Sequence, residues 1–269
     1  MPNSTICLSF DFDALSVWFS YPNTTPAMLS RGEYGARVGV PRLLDLLGRT
    51  GISATFFIPG HTIESFPAAV EAILAAGHEV AHHSYAHVDP SQQTPDAERR
   101  DMERALLALE RVGVAPLGFR SPSADYSAVT LALIDEYGFL YDSSLMADDF
   151  RPYHPRLGDQ VTQQSPLVPG AEARVWELPI CFEFDDWVHF QFNFNPYRNG
   201  TSAPSKVLEI WTADFDWMHE HVDGGILTVA MHPQVIGRAH RVAMLEQFIG
   251  HCQDRGAAFA RMGDVARLL

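Results

Sequence analysis

Ile6-Cys7-Leu8-Ser9-Phe10-Asp11-Phe12-Asp13 runs from apolar residues straight into two carboxylates. Ile6 to Phe12 alternates with the period of a strand, and positions two apart share a strand face. Asp11 and Asp13 are therefore expected to point together from one strand end. The pattern repeats along the chain. Ala54 to Ile58 (ATFFI), Glu79 to Ala81, Gly118-Phe119-Arg120 and Ile226 to Met231 read as further strands. Helical patterns lie between and after them, at Val40 to Leu47, Ala68 to Ala76, Pro95 to Val112, Ser127 to Tyr137, Val207 to His221 and Arg241 to Asp254. Pro41 suits a first helical turn, and Gly77, Gly113 and Gly138 supply stops. Strand alternating with helix predicts an α/β fold, a parallel sheet or barrel with helices outside. The polar motifs fall at the carboxyl ends of the strands, where barrel active sites form. Residues 146–205 are rich in Pro, Asp and aromatics and are expected to be long loops that shape a pocket. No linker, repeat or low-complexity tract interrupts the chain, so one domain over 1–269 is expected.

The 269 residues, 46% of them hydrophobic, suffice for a substantial core. A net charge of −14 argues against a nucleic-acid partner. Cys7, Cys181 and Cys252 are odd in number, far apart and without a CxxC pair, which favours buried reduced thiols over a disulfide framework. No apolar run approaches the roughly 18 residues that span a bilayer. Met1 to Ile6 has no basic region of the kind that opens a signal peptide. A soluble, cytoplasmic protein without membrane contact is expected.

The chemistry gathers in two clusters. Asp13 with His83 and His87, from His82-His83-Ser84-Tyr85-Ala86-His87, makes a two-histidine, one-carboxylate set that can hold a divalent metal and leave a position open for water. Asp11 would stand beside that water as a base. Arg120, at a strand end, would hold Asp11 ionised and oriented. His232, after the strand ending at Met231, would protonate a leaving amine. His82 and His78 are assigned to neither role. Glu177 and Asp185-Asp186-Trp187 are candidates for the pocket lining. Trp18, Phe19, Trp187, Phe190 and Phe192 would suit a closed pocket for a small flat ligand. Neither a GxSxG elbow nor a phosphate-cradling glycine loop is present. The set points to metal-assisted hydrolysis of an amide.

These motifs resemble the polysaccharide deacetylase superfamily, the NodB-homology or carbohydrate esterase 4 group. The segments concerned are Ser9 to Asp13, His83 to His87, Arg120-Ser121-Pro122, Asp142-Ser143-Ser144-Leu145 and Leu227 to His232. Ser30-Arg31-Gly32, Pro59 to Glu64, Ser144 to Phe150, Trp211 to Trp217 and Met231-His232-Pro233-Gln234 are similar to one subgroup, that of peptidoglycan-deacetylase-like proteins, cyclic imide hydrolases and metal-free allantoinases. The resemblance implies a distorted (β/α)₇-type barrel with metal, most specifically Zn²⁺, on Asp13, His83 and His87, Asp11 as base and His232 as acid. It also implies a homo-oligomer. The spread Asp-x-Asp and His82, where secreted deacetylases commonly carry Asn, point to a small cyclic imide, ureide or N-acetyl amide. The alternative substrate is peptidoglycan or a chitooligosaccharide. Two readings of other classes stand beside these: a non-haem iron oxygenase, which uses the same triad, and a metal-free binding protein.

Overall fold

The computed structural model describes residues 4–21, 24–194, 197–198 and 200–269, without the side chains of 194, 197 and 198. Its strands are β1 (Ser4–Asp11), β2 (Thr55–Ile58), β3 (Glu79–His82), β4 (Gly118–Phe119), β5 (Tyr141–Asp142), β6 (Arg156–Leu157), β7 (Ala171–Glu172), β8 (Trp176–Glu177), β9 (Asn193–Phe194), β10 (Tyr197–Arg198), β11 (Gly225–Met231) and β12 (Ala258–Phe259). Seven of them form one curled sheet in the order β11-β1-β2-β3-β4-β5-β8, with β12 added beside β1. Every pairing in this sheet is parallel. A parallel bridge between Asp185 and Ala230 links the segment after β8 to β11, across the opening between the two ends of the sheet. The expected distorted (β/α)₇-type barrel is the fold observed. β6 with β7 and β9 with β10 make two small antiparallel ribbons.

The helices are α1 (Pro26–Tyr34), α2 (Val40–Thr50), α3 (Gly60–Ser65), α4 (Pro67–Ala75), α5 (Pro95–Arg111), α6 (Thr130–Tyr137), α7 (Asp186–Phe190), α8 (Pro204–His221), α9 (Pro233–Ile236), α10 (Ala239–Asp254) and α11 (Met262–Ala266). A π-helical turn, Gly35–Gly39, joins α1 to α2. Among the described residues no helix is long and apolar enough to cross a membrane.

β1 is buried along its whole length, the mark of a central strand in a parallel sheet covered on both faces. The polar Ser9 is tolerated there because its hydroxyl donates to the Val229 carbonyl at 2.8 Å. On the other side of β1, Phe10 stacks on Phe56 at 4.9 Å, while Trp211, Phe215 and Phe248 seal α8 against α10. Each such ring stabilises the fold by roughly 1.5–3 kcal/mol when fully buried. The register aligns the strand ends: Phe10 pairs with Met231, Asp11 with Phe57, Ile58 with His82, His82 with Phe119, and Asp142 with Glu177. The chemistry-bearing residues thus begin at one level of the sheet.

The sequence pattern misses α1, α3, α7, α9 and α11, the ribbon strands β6, β7, β9 and β10, and the short sheet strands β5, β8 and β12. A two-residue strand has no periodicity to detect, and α1 is largely exposed. The irregular stretch 146–205 accordingly contains one strand of the main sheet, β8. Helix α6 starts at Thr130, later than the pattern suggests, because Ser127 is held outside the helix by bonds to Glu98 and Thr130. All three cysteines are free. Cys7 and Cys252 are buried as expected, whereas Cys181 is only half-buried.

Gly32 lies where α1 crosses the turn after Asp13. A Cβ there would sit 2.3 Å from the Ala14 carbonyl oxygen. Gly32→Ala therefore forces backbone apart, at a cost of about 1–3 kcal/mol. Scanning calorimetry should show a melting temperature lower by about 3–10 °C; an unchanged midpoint would refute the contact.

Candidate active site

Asp13 is placed by the turn that follows β1. Ala14 takes a left-handed conformation with φ 48°. The Asp13 carbonyl accepts from Ser16 N at 3.0 Å, Ser16 Oγ at 2.8 Å and Thr62 Oγ1 at 2.6 Å. A second strained turn follows β3. Ser84 and His87 have φ of 59° and 55°, and Ser84 Oγ accepts the His87 N–H at 2.9 Å. Such conformations are costly for non-glycine residues and cluster at functional sites. This turn folds His87 back on His83, ring centroids 5.0 Å apart.

The result is a buried convergence. Asp13 Oδ1 lies 3.3 Å from His83 Nε2 and 3.7 Å from His87 Nε2. His83 Nδ1 donates to the Arg120 carbonyl at 2.7 Å, which turns Nε2 toward Asp13; burial works to lower the His83 pKa, but Asp11 and Asp13 outweigh it and raise it. Asp13 Oδ1 and His83 Nε2 are fully buried and have no hydrogen-bond partner. Orphaned buried polar atoms are rare and ask for a ligand. One atom from each of Asp13, His83 and His87 falls within 4.8 Å of the others, a donor set that suits a divalent cation. Burial works to raise the Asp13 pKa, but His87, His83 and His232 outweigh it and draw the carboxyl down to about 2. Burial pushes His87 down to about 4, so its imidazole is neutral, as a ligand must be.

Asp11 stands next to this set. Its Oδ1 accepts from Arg120 Nη1 at 2.8 Å, and its Oδ2 is 3.9 Å from His83 Nε2 and 4.0 Å from His232 Nε2. Arg120 is buried despite its charge and is anchored also on Ser9 Oγ, the Ser143 carbonyl and Ser143 Oγ. His232 follows β11, and its Nδ1 faces Asp186 Oδ1 at 2.7 Å. Burial disfavours a charged His232, but Asp186 and Asp185 prevail and lift it to about 10. Asp185, Asp186 and His232 also converge as possible metal donors. That cluster is internally satisfied, because Asp186 accepts both the ring and the backbone N–H of His232.

A cavity of about 460 Å³ opens over these groups. Asp11, His83, His87, Arg120 and His232 lie along it with Asp185 and Asp89, and Val17, Ile180, Phe182, Trp187 and Val188 give it apolar walls. The structure therefore brings together Asp11, Asp13, His83, His87, Arg120 and His232, the six residues given a chemical role in the sequence. Asp185 and Trp187 line the cavity as expected, while Asp186 lies behind His232. Glu177 is not part of the lining. Trp18 is buried behind Trp187, ring centroids 5.8 Å apart. Phe190 packs in the core under Arg241, and Phe19 lies 43% exposed against His61. His82 is buried against Phe119, its Nε2 donating to the Met102 carbonyl at 3.2 Å, and His78 accepts from Ala54 N. Sequence reasoning missed the pairing of Asp186 with His232 and the anchoring of Arg120 by Ser9 and Ser143. The doubled Asp185-Asp186 was the visible signal for the first.

A family model described as Polysaccharide deacetylase matches residues 4–141. A protein of Helicobacter pylori named peptidoglycan deacetylase is 32% identical, covering 97% of this chain and 94% of its own. The chain belongs to the polysaccharide deacetylase family. A peptidoglycan deacetylase-like protein of Gibberella zeae is 31% identical over 93% of this chain and 81% of its own. Among solved structures, a Mycobacterium smegmatis protein assigned to the polysaccharide deacetylases superposes with a TM-score of 0.86 at 34% identity, covering 99% of this chain and 90% of that one. An allantoinase shares the fold with a TM-score of 0.78 at 24% identity, again over 99% and 90%. As a member of this family the chain is a hydrolase of amide C–N bonds.

Behind Arg120 lies a second carboxyl pair, Asp142 and Glu177, both buried. Glu177 Oε1 accepts from Ser144 N at 2.9 Å and Leu145 N at 3.0 Å, and Asp142 accepts from Ser144 Oγ and Tyr126. Burial and the Asp142 charge push the Glu177 carboxyl well above its usual 4.5. The folded state then holds a proton that the unfolded chain releases above about pH 4.5. The stabilisation is full below that pH and declines as pH rises toward the raised folded value. Glu177→Gln keeps the Oε1 acceptor and removes the titration. In urea melts at about pH 5 and pH 9, the variant should gain on the parent with rising pH; parallel pH profiles would refute the raised Glu177 pKa.

Proposed function

We propose that the chain is a divalent-metal-dependent hydrolase, with Zn²⁺ on Asp13, His83 and His87, that opens or deacylates a small cyclic imide, ureide or N-acetyl amide. The observation that carries the metal reading is the pair of buried, unpartnered ligand atoms, Asp13 Oδ1 and His83 Nε2. When bound there, the cation supplies Lewis acidity and makes a nearby water far more acidic than bulk. Asp11, fixed by Arg120 at 2.8 Å, takes the proton from the attacking water through its free Oδ2. His232, charged and oriented by Asp186, donates a proton to the leaving nitrogen. Trp187, its ring centroid 5.0 Å from that of His232, walls the site where a flat ring would lie. A cavity of about 460 Å³ with apolar walls matches a monomeric substrate. The enzyme would then act in the cytoplasm on a diffusible amide, as a homo-oligomer. Peptidoglycan or chitooligosaccharide N-deacetylation is the second reading, favoured by the likeness to the Helicobacter pylori peptidoglycan deacetylase.

Asp13→Ala or His87→Ala should abolish zinc binding in elemental analysis and turnover together. Asp11→Asn should retain zinc and lose about 10²–10⁴-fold in kcat, the contribution of a general base. A near-native rate in Asp11→Asn would remove Asp11 from the role. Zinc-loaded protein should hydrolyse succinimide or allantoin in preference to chitobiose. The reverse preference would establish the second reading, and inertness toward all three would overturn the substrate class.

A further inference from the structure

We propose that Gln234 is a positioning residue for the metal centre, fixing which oxygen of Asp13 faces the cation. The proposal rests on the metal reading above. Gln234 is two residues beyond His232, in α9, and is 5% exposed. α9 is pressed against the π-helical turn Gly35–Gly39. A Cβ at Gly39 would lie 2.2 Å from the Pro233 carbonyl oxygen, and one at Gly35 would lie 3.2 Å from Gln234 Cβ. π-turns inside helices are frequent at functional sites. Here the turn brings α9 close enough for Gln234 Nε2 to donate to Asp13 Oδ2 at 3.4 Å.

The two oxygens of Asp13 consequently have different surroundings. Oδ1 faces His83 and His87 and has no donor, whereas Oδ2 faces the Gln234 amide and, at 3.9 Å, His232 Nε2. A carboxylate held by one oxygen presents the other as a single, oriented ligand. A neutral amide does this without adding to the positive charge that His232 already brings near Oδ2, as a Lys or Arg in its place would. The rotamer is held at a cost: Gln234 Oε1 is buried without a partner. Turning the amide over would set Oε1 against the Asp13 carboxylate, acceptor on acceptor, so the donor-inward orientation is the one the site allows. A buried group that keeps an unsatisfied atom points to a constraint other than stability.

The test measures zinc affinity by chelator competition, the visible spectrum of the cobalt-loaded protein, and kcat and KM, for the parent and for Gln234→Met, which keeps length and loses the donor. Loss of an outer partner typically weakens metal binding 10–100-fold. The Met variant should bind zinc about tenfold more weakly or worse, with a shifted cobalt spectrum, a lower kcat and a metal-free melting temperature within a few degrees of the parent. Gly35→Ala, which crowds Gln234 but leaves its amide, should give a smaller loss of the same sign and stands in if the Met variant does not fold. Parental affinity and spectrum in the folded variant would overturn the role of Gln234. A parent that binds no metal would overturn the metal reading itself, and the proposal with it.

Discussion

A buried guanidinium holds the active end of this barrel together. Arg120 follows β4, yet it bonds Ser9 and Asp11 from β1 and both the carbonyl and hydroxyl of Ser143 beyond β5. Its guanidinium lies 4.2 Å over the Phe57 ring of β2. Its backbone carries as much: the N–H donates to the His82 carbonyl, and the carbonyl takes the Nδ1 proton of His83. A buried charge is tolerable only when paired and hydrogen-bonded throughout. That requirement makes Arg120 a template which draws four strand ends to one point. Fixing the His83 tautomer and fixing Asp11 are two results of placing one residue.

Around this template, negative charge is divided among carboxylates that must not behave alike. Asp11 is tied to Arg120, Asp13 to the histidines and Asp186 to His232, while burial raises both members of the Asp142–Glu177 pair. Burial pushes Asp185, with Asp186 and Asp11 for neighbours, up to about 6. Without distinct partners, so many acids in one buried region would repel and neutralise. In the proposed reaction this division sets the roles: the acid drawn down to about 2 faces the cation, the one held by Arg120 is the base, and the one on His232 keeps the imidazolium charged.

Most of this was legible because strand ends leave a signature. An apolar run that stops at Asp, His or Arg reads as a strand delivering a polar side chain to a barrel mouth, and β1, β3, β4 and β11 all do so. Motif spacing placed Asp13, His83 and His87 in one set, since a turn can return His87 to His83. Legibility fails where a partner comes from elsewhere in the chain. Ser9 and Ser143 look like ordinary strand serines until Arg120, 111 and 23 residues away, reaches them. Glu177 lies in a stretch without periodicity and so reads as a pocket residue. Only the pairing of β8 with β5 shows that it turns inward against Asp142. Aromatic identity likewise did not separate Trp187, which lines the cavity, from Trp18 behind it.

The segment after β8 joins closure of the sheet to the wall of the cavity. Asp185 makes the bridge to Ala230 that spans the opening between the sheet's two ends. The next two residues are Asp186, which holds His232, and Trp187, which walls the cavity with Phe182 and Val188. Asp185 also caps α7 by accepting from Trp187 N at 2.8 Å. A change in this segment would therefore move His232, the wall and the bridge together. In the proposed reaction, one loop thus both walls the cavity and supports the proton donor. The loops at residues 17–21 and 121–124 contribute cavity residues without carrying such a bridge. A substitution there can reshape the cavity without disturbing His232 or the closure of the sheet.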